Sequence, residues 1–203
     1  MSFPCVDPSS FEMVDGTHLR PRDYMQWRHV VTNFAAATSQ SFGRTDVTAK
    51  NIALHTVTAS WTNSTPIAQY AYGLLTRGPT RVILQAINAA YIQTSVGQAA
   101  GVAPADPTAS TVFSRFGCGL SFEIPSGEKL YYGTHETRIG SRTTLLGDTV
   151  RLEPGEMLKL VVSLRFISQA WNTVAIPETM FADTPSQFET GESQIDIFAY
   201  PAI

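Results

Sequence analysis

Lysine is scarce in this chain: three residues (Lys50, Lys129, Lys159) against eleven arginines, in a sequence of 203 whose charged residues make up only 15%. An average soluble domain carries about 25%. The net charge is −3, and no five-residue window is crowded with Lys or Arg. Binding driven by phosphate charge has no electrostatic basis here, which excludes nucleic acid as the main partner. No run of about 20 apolar residues is present to span a bilayer. The N-terminal region also lacks the basic start and unbroken stretch of about 7–15 apolar residues of a secretory signal. The expectation is a soluble chain made in the cytoplasm, with no membrane insertion. Cysteine is nearly absent too, and Cys5 and Cys118 stand far apart, which is not the spacing of a disulfide framework. Surfaces poor in Lys and Glu but supplied with Arg and aromatics resemble those that other proteins cover; a base composition favouring Arg, Ala, Gly and Thr codons would give the same bias.

Alternation is what the chain has in quantity. In Val150 to Phe166 a Pro154-Gly155-Glu156 turn joins two runs with apolar residues at every second position. Leu158, Leu160, Val162, Leu164 and Phe166 take one side of an extended chain; Met157, Lys159, Val161, Ser163 and Arg165 take the other. That is a strand with one face in a core. Val112, Phe116, Cys118, Leu120, Phe122 and Ile124 repeat the pattern against Phe113, Arg115, Gly117, Gly119, Ser121 and Glu123. The phase changes between Ile52/Leu54 and Val57/Ala59/Trp61, which predicts a bulge near His55. Further strands are expected over residues 69–76, 81–87, 91–95, 129–132 and 194–200, with Gly78-Pro79 as a turn and residues 97–110 as a long exposed loop.

Before residue 47 the reading differs. Residues 1–20 show no period and form an arm. Tyr24, Trp27, Val31 and Phe34 are spaced 3, 4 and 3, with Pro21 tolerated in a first turn, and this spacing predicts an amphipathic helix over residues 21–37. Its aromatic stripe either plugs the end of the chain's own sandwich or docks on a neighbouring copy. The predicted fold is all-β, an antiparallel, jelly-roll-like β-sandwich over residues 47–203, preceded by an N-terminal arm and short helix over residues 1–46.

Chemistry-bearing patterns are missing. His18, His29, His55 and His135 each stand alone, no pair has metal-ligand spacing, and no nucleophile elbow, Walker loop or dinucleotide glycine pattern occurs. Cys118 falls on a core phase with no histidine in local reach. No catalytic residue, metal site or cofactor is predicted, and the enzyme class is disfavoured. Aromatics offer more. Tyr70 and Tyr72 share one strand face, and Tyr131 and Tyr132 lie near a turn, a candidate platform for sugar rings.

The segments Trp61 to Pro66, Gln69 to Gly78 and Arg81 to Ala86, with Arg115-Phe116-Gly117-Cys118-Gly119 and the Pro154-Gly155-Glu156 turn, resemble minor tail or accessory virion proteins of tailed phages that infect actinobacteria. The resemblance covers Trp61 to Phe166, about half the chain. It implies a structural protein located in the virion, at the tail or on the capsid surface. Its partners would be copies of itself, expected as a homotrimer, and other virion proteins; outside the segment the resemblance covers, the stripe of Tyr24, Trp27, Val31 and Phe34 on the predicted helix is the expected interface. The alternative expectation is a carbohydrate-binding module that touches host surface glycans through Tyr70, Tyr72, Tyr131 and Tyr132.

Overall fold

The computed structural model describes residues 10–14, 16, 18–42, 49–86, 90–118, 132–168 and 186–202. Among them the regular elements are strands, with short 3-10 turns at Ser10 and at Asp23–Met25. A small hairpin, β1 (Phe11–Val14) and β2 (His18–Pro21), stands apart from the rest. β3 (Arg28–Ala35), β4 (Thr38–Phe42), β5 (Lys50–Thr62), β6 (Gln69–Arg77), β7 (Thr80–Ala86), β8 (Ala90–Gly101) and β9 (Thr111–Gly117) follow. β10 (Tyr132–Ile139), β11 (Arg142–Leu152), β12 (Met157–Ser168), β13 (Ser186–Thr190) and β14 (Ser193–Pro201) complete the chain.

Two of the sheets are halves of one. Their orders are β10-β7-β13-β4 and β11-β6-β14-β3, and each strand of one continues into its counterpart after a two-residue interruption, at residues 36–37, 78–79, 140–141 and 191–192. The result is a single four-stranded front sheet with a crease across its middle. At the crease the Gly78 amide donates to Glu192 O and the Gly191 amide to Pro79 O, both at 2.7 Å. A Cβ on Gly78 would lie 2.6 Å from that carbonyl oxygen, so only glycine permits this approach. Gly78-Pro79, expected as a turn, is therefore a bend inside a long strand.

The back sheet, β5-β12-β8-β9, runs the full length behind both halves. Counting each creased strand once, the chain makes eight long runs, and they pair as first with eighth (β3 with β14, β4 with β13), second with seventh (β5 with β12), third with sixth (β6 with β11, β7 with β10) and fourth with fifth (β8 with β9). Nested antiparallel pairs divided between two sheets are a long hairpin rolled on itself, the jelly roll. The turn at Pro154-Gly155 carries the chain from front sheet to back sheet across the core.

Between the sheets lie two apolar clusters, one under each front half. Ala71, Leu75, Leu146, Leu152, Ile195 and Ile197 meet Val57, Ala59, Val96, Leu158, Leu160 and Val162. Val82, Leu84, Ile139 and Phe188 meet Leu54, Ala90, Ile92, Cys118, Leu164 and Phe166. The alternation along β12 is the one read from the sequence: Leu158, Leu160, Val162, Leu164 and Phe166 are all at most 3% exposed. Its other side is covered as well at Val161 and Ser163, because residues 102–110 fold back over the outer face of the back sheet. Lys159 Nζ holds Asp106 Oδ1 at 2.8 Å, and a Cβ on Gly97 would overlap the Thr108 backbone. The bulge predicted near His55 is present, with Leu164 opposite His55 and Arg165 opposite Ala53.

Three expectations need correction. Residues 21–37 form no helix: beyond the 3-10 turn they make β3, whose ladder with β14 (Asn33 opposite Ile195, Val31 opposite Ile197) and β-branched Val30, Val31 and Thr32 outweigh a 3.6-residue spacing. β3 and β4 belong to the front sheet, so the sandwich takes in strands that precede residue 47. Val112 is 43% exposed, not in the core, because a bulge between Thr94 and Ser95 shifts the phase of β9 beyond Ser114. Leu120, Phe122, Ile124 and residues 129–131 lie outside the described residues.

Candidate binding face

Inward alternation fixes what faces out. In β6, Gln69, Ala71, Gly73, Leu75 and Arg77 are buried, leaving Tyr70, Tyr72, Leu74 and Thr76 on the outer surface. In β14, Ser193, Ile195, Ile197 and Ala199 are buried, leaving Gln194, Asp196, Phe198 and Tyr200 outside. The register sets Tyr200 beside Tyr70 and Phe198 beside Tyr72. On the flanks, β11 adds Leu145 opposite Leu74, and β3 adds His29 opposite Phe198 and Phe34 opposite Gln194.

Trp27, just before β3, closes this group. Its ring stacks on Phe198 with centroids 4.8 Å apart and planes 10° from parallel, and its indole N–H donates to the Tyr72 hydroxyl at 2.8 Å. Tyr72 stacks on Phe198 at 5.6 Å, and Tyr70 meets Tyr200 at 5.4 Å. One face of Trp27 is thus covered, yet the residue is 59% exposed, and Phe34 and Leu145 are 58% and 48% exposed on the same surface. The linked rings of Trp27, Phe198, Tyr72, Tyr70 and Tyr200 form one outward group of the kind that marks a site of contact, while Phe34 stands beyond Asp196 and Gln194.

A polar cluster adjoins the rings. Asp196 Oδ1 accepts from Thr32 Oγ1 at 2.6 Å and lies 3.0 Å from His29 Nε2, while Gln194 Nε2 donates to Asp196 Oδ2 at 2.7 Å. The carboxylate is engaged by its own neighbours, and His29 beside it lies tilted against Phe198 with ring centroids 5.1 Å apart.

The residues expected to act divide by position. Trp27, Phe34, Tyr70 and Tyr72 come together on this one face. Val31 points inward against the apolar cluster under it, and Tyr24 sits in the 3-10 turn, its carbonyl accepting from Gln69 Nε2 at 2.9 Å. Tyr131 and the side chain of Tyr132 lie outside the described residues. Phe198, Tyr200 and Leu145 were missed. The alternation through Ile195 and Ile197 already places Phe198 and Tyr200 on the outer phase, and that signal could have found them. Cys118 is buried, and burial pushes its thiol up to about 12, the opposite of an activated nucleophile. Among the described residues no group of His, Cys, Asp and Glu could hold a metal ion.

The chain matches, over residues 1–202, the family described as a domain of unknown function (DUF7172), and it belongs to that family. No curated protein matches it. Among solved structures it is similar to that of the infectious bursal disease virus Gx strain, at 8% identity and a TM-score of 0.32, covering 94% of this chain and 36% of that one. It is also similar to the VP2 subviral particle of the same virus, at 9% identity and a TM-score of 0.27, covering 95% of this chain and 41% of that one. The chain therefore spans about two fifths of the length of those structures, and likeness at these scores carries no weight for function.

Proposed function

We propose that the protein is a structural component of a virus particle, a minor tail or capsid-surface protein of a tailed bacteriophage, and that it acts through subunit contacts made by its aromatic face. The observation that carries this reading is the exposure of Trp27 on the linked rings of Tyr70, Tyr72, Phe198 and Tyr200, with Leu145 and Phe34 also exposed on the same half of the sheet. A soluble protein rarely leaves such a face bare, and buried aromatics are the usual anchors of an interface. The resemblance of Trp61 to Phe166 to accessory virion proteins supports the particle, and the rolled topology is one that recurs in viral capsid domains. The proposed assembly is a homotrimer that also contacts other virion proteins.

A second reading is recognition of a host surface glycan. It is favoured by the near-parallel rings of Trp27, Phe198 and Tyr72, since the outer face of Trp27 is free to lie against a sugar, and jelly rolls recur in lectins as well. Against it, Asp196, the carboxylate beside these rings, is already engaged by Thr32 and Gln194 of this chain. The test is native mass measurement of wild type and Trp27→Ala/Phe34→Ser, with glycan-array binding in parallel. A trimer that the double change reduces to monomer supports assembly. A wild-type monomer that binds glycans and loses binding on Trp27→Ala supports the second reading and sinks the first.

A further inference from the structure

The two apolar clusters are separated by a polar belt at the level of the crease. Across the front sheet, Arg142, Arg77, Ser193 and Ala35 stand side by side in register and face inward. Across the back sheet the facing row is Ser114, Thr94, Leu164 and His55. At one end of the belt His55 Nδ1 meets Ser193 Oγ at 3.0 Å, while its Nε2 is buried without a partner. Arg77 stands toward the other end. Arg77 is 4% exposed, its guanidinium lies 4.7 Å from the Phe116 ring, and it donates once, from Nη2 to Gly140 O at 3.3 Å. Its Nε is buried with no partner. Among the described residues no carboxylate makes an ion pair with Arg77 or Arg142.

Two guanidiniums side by side with no counter-charge repel, and a guanidinium cannot escape by losing its proton. Burial first, and then the charge of Arg142, hold Arg77 below the ordinary arginine range, and the Phe116 ring and the Gly140 carbonyl supply no opposite charge to offset this. The recess they line, with hydroxyls from Thr94, Ser114 and Thr144 and the ring of Phe113, holds about one water-sized sphere. Two cations, three hydroxyls and an orphaned buried donor around a space of that size describe a receptor for a small anion.

We propose that the recess between Arg77 and Arg142 binds a single chloride-sized anion, which neutralises the belt where the front sheet creases. This site is separate from the aromatic face and does not depend on the role assigned to that face. The experiment is the melting temperature of the full chain at constant ionic strength as sodium chloride replaces sodium gluconate, whose anion is too large to enter. Wild type is expected to gain about 3–6 °C once chloride reaches about ten times its dissociation constant, and the gain then grows with the logarithm of the chloride concentration. Arg142→Gln, at the exposed mouth of the recess, should fold and lose the gain. Arg77→Met should be indifferent to chloride and, where it folds, melt higher than wild type in gluconate, because the unpaired charge is gone. Chloride-35 line broadening gives a second readout and should fall in Arg142→Gln. A melting temperature independent of chloride, or a gain undiminished in Arg142→Gln, overturns the site.

Discussion

The two halves of the front sheet are made by the same four runs of chain and bury equivalent apolar undersides, yet their outer faces are opposites. On the β11-β6-β14-β3 half the outward positions carry rings, stacked from Trp27 through Phe198 to Tyr72, beside a single carboxylate cluster at Asp196. Across the crease, on the β10-β7-β13-β4 half, they carry charge. Arg81 Nε donates to Glu136 Oε1 at 2.9 Å, Arg138 Nε reaches the same oxygen at 2.6 Å, and Arg81 Nη1 lies 3.6 Å from Glu189 Oε2. A single sheet has a wet half and a half with the composition of an interface. Architecture therefore assigns no role here; the outward residues of each half do.

If the difference is confined to the outer faces, the undersides should respond alike. Leu160→Ala beneath the aromatic half and Phe166→Ala beneath the ionic half should each cost about 2–5 kcal/mol in denaturant unfolding, because both are essentially inaccessible. A cost below 1 kcal/mol on one side only would show that the two halves are not equally packed. Outside, the responses should part. Trp27→Ala should weaken self-association by at least about 2 kcal/mol, or some thirtyfold in affinity. Its effect on the stability of the isolated subunit should be smaller, since the ring is more than half exposed; sedimentation equilibrium beside thermal melting reads both. Equal losses in the two measurements would mean that the ring serves only its own fold.

The crease between the halves should show in the pH dependence of stability. Burial lowers the pKa of His55 from its ordinary 6.5, so the unfolded chain takes up a proton more readily than the folded one. The stability gained by keeping this ring neutral is complete above pH about 6.5 and is lost as the pH falls through that value toward the lower folded pKa. His55→Gln should flatten that part of the profile, and an unchanged slope would remove His55 as its cause. The smallest effect is expected on the ionic half. Arg81 and Arg138 hold the Glu136 carboxyl below the usual carboxylate range, but the pairs are solvent-exposed and screened. Glu136→Gln should leave the melting temperature within experimental scatter and self-association unchanged; a change in association would extend the interface across the crease.

How much of this could be read from the sequence depended on the reach of the interactions involved. The inward phase of β12, the bulge at His55 and the shared face of Tyr70 and Tyr72 are local facts, set by a two-residue period within one strand, and they were legible. The segment from Tyr24 to Phe34 was misread because its spacing of 3, 4 and 3 mixes residues from opposite faces: Val31 points into the core, while Trp27 and Phe34 point out. Only pairing with β14, more than 160 positions away, separates them. The crease was hidden for a similar reason. Gly78-Pro79 looks like any turn until Gly191 and Glu192 are laid alongside it. The aromatic face needed both pieces of information, the phase of two strands and the pairing of the first run with the last.

That nesting also orders events in time. Closing fourth against fifth brings together residues about twenty apart, whereas first against eighth must close nearly the whole chain, so the loop-closure entropy is greatest for the outermost pair. Trp27 and Phe198 belong to that pair, separated by 171 positions. The stacked rings form only when the first and last runs have met, which this entropy makes the costliest pairing of the roll. In a refolding experiment the fluorescence signature of Trp27 should therefore be the last to reach its native value.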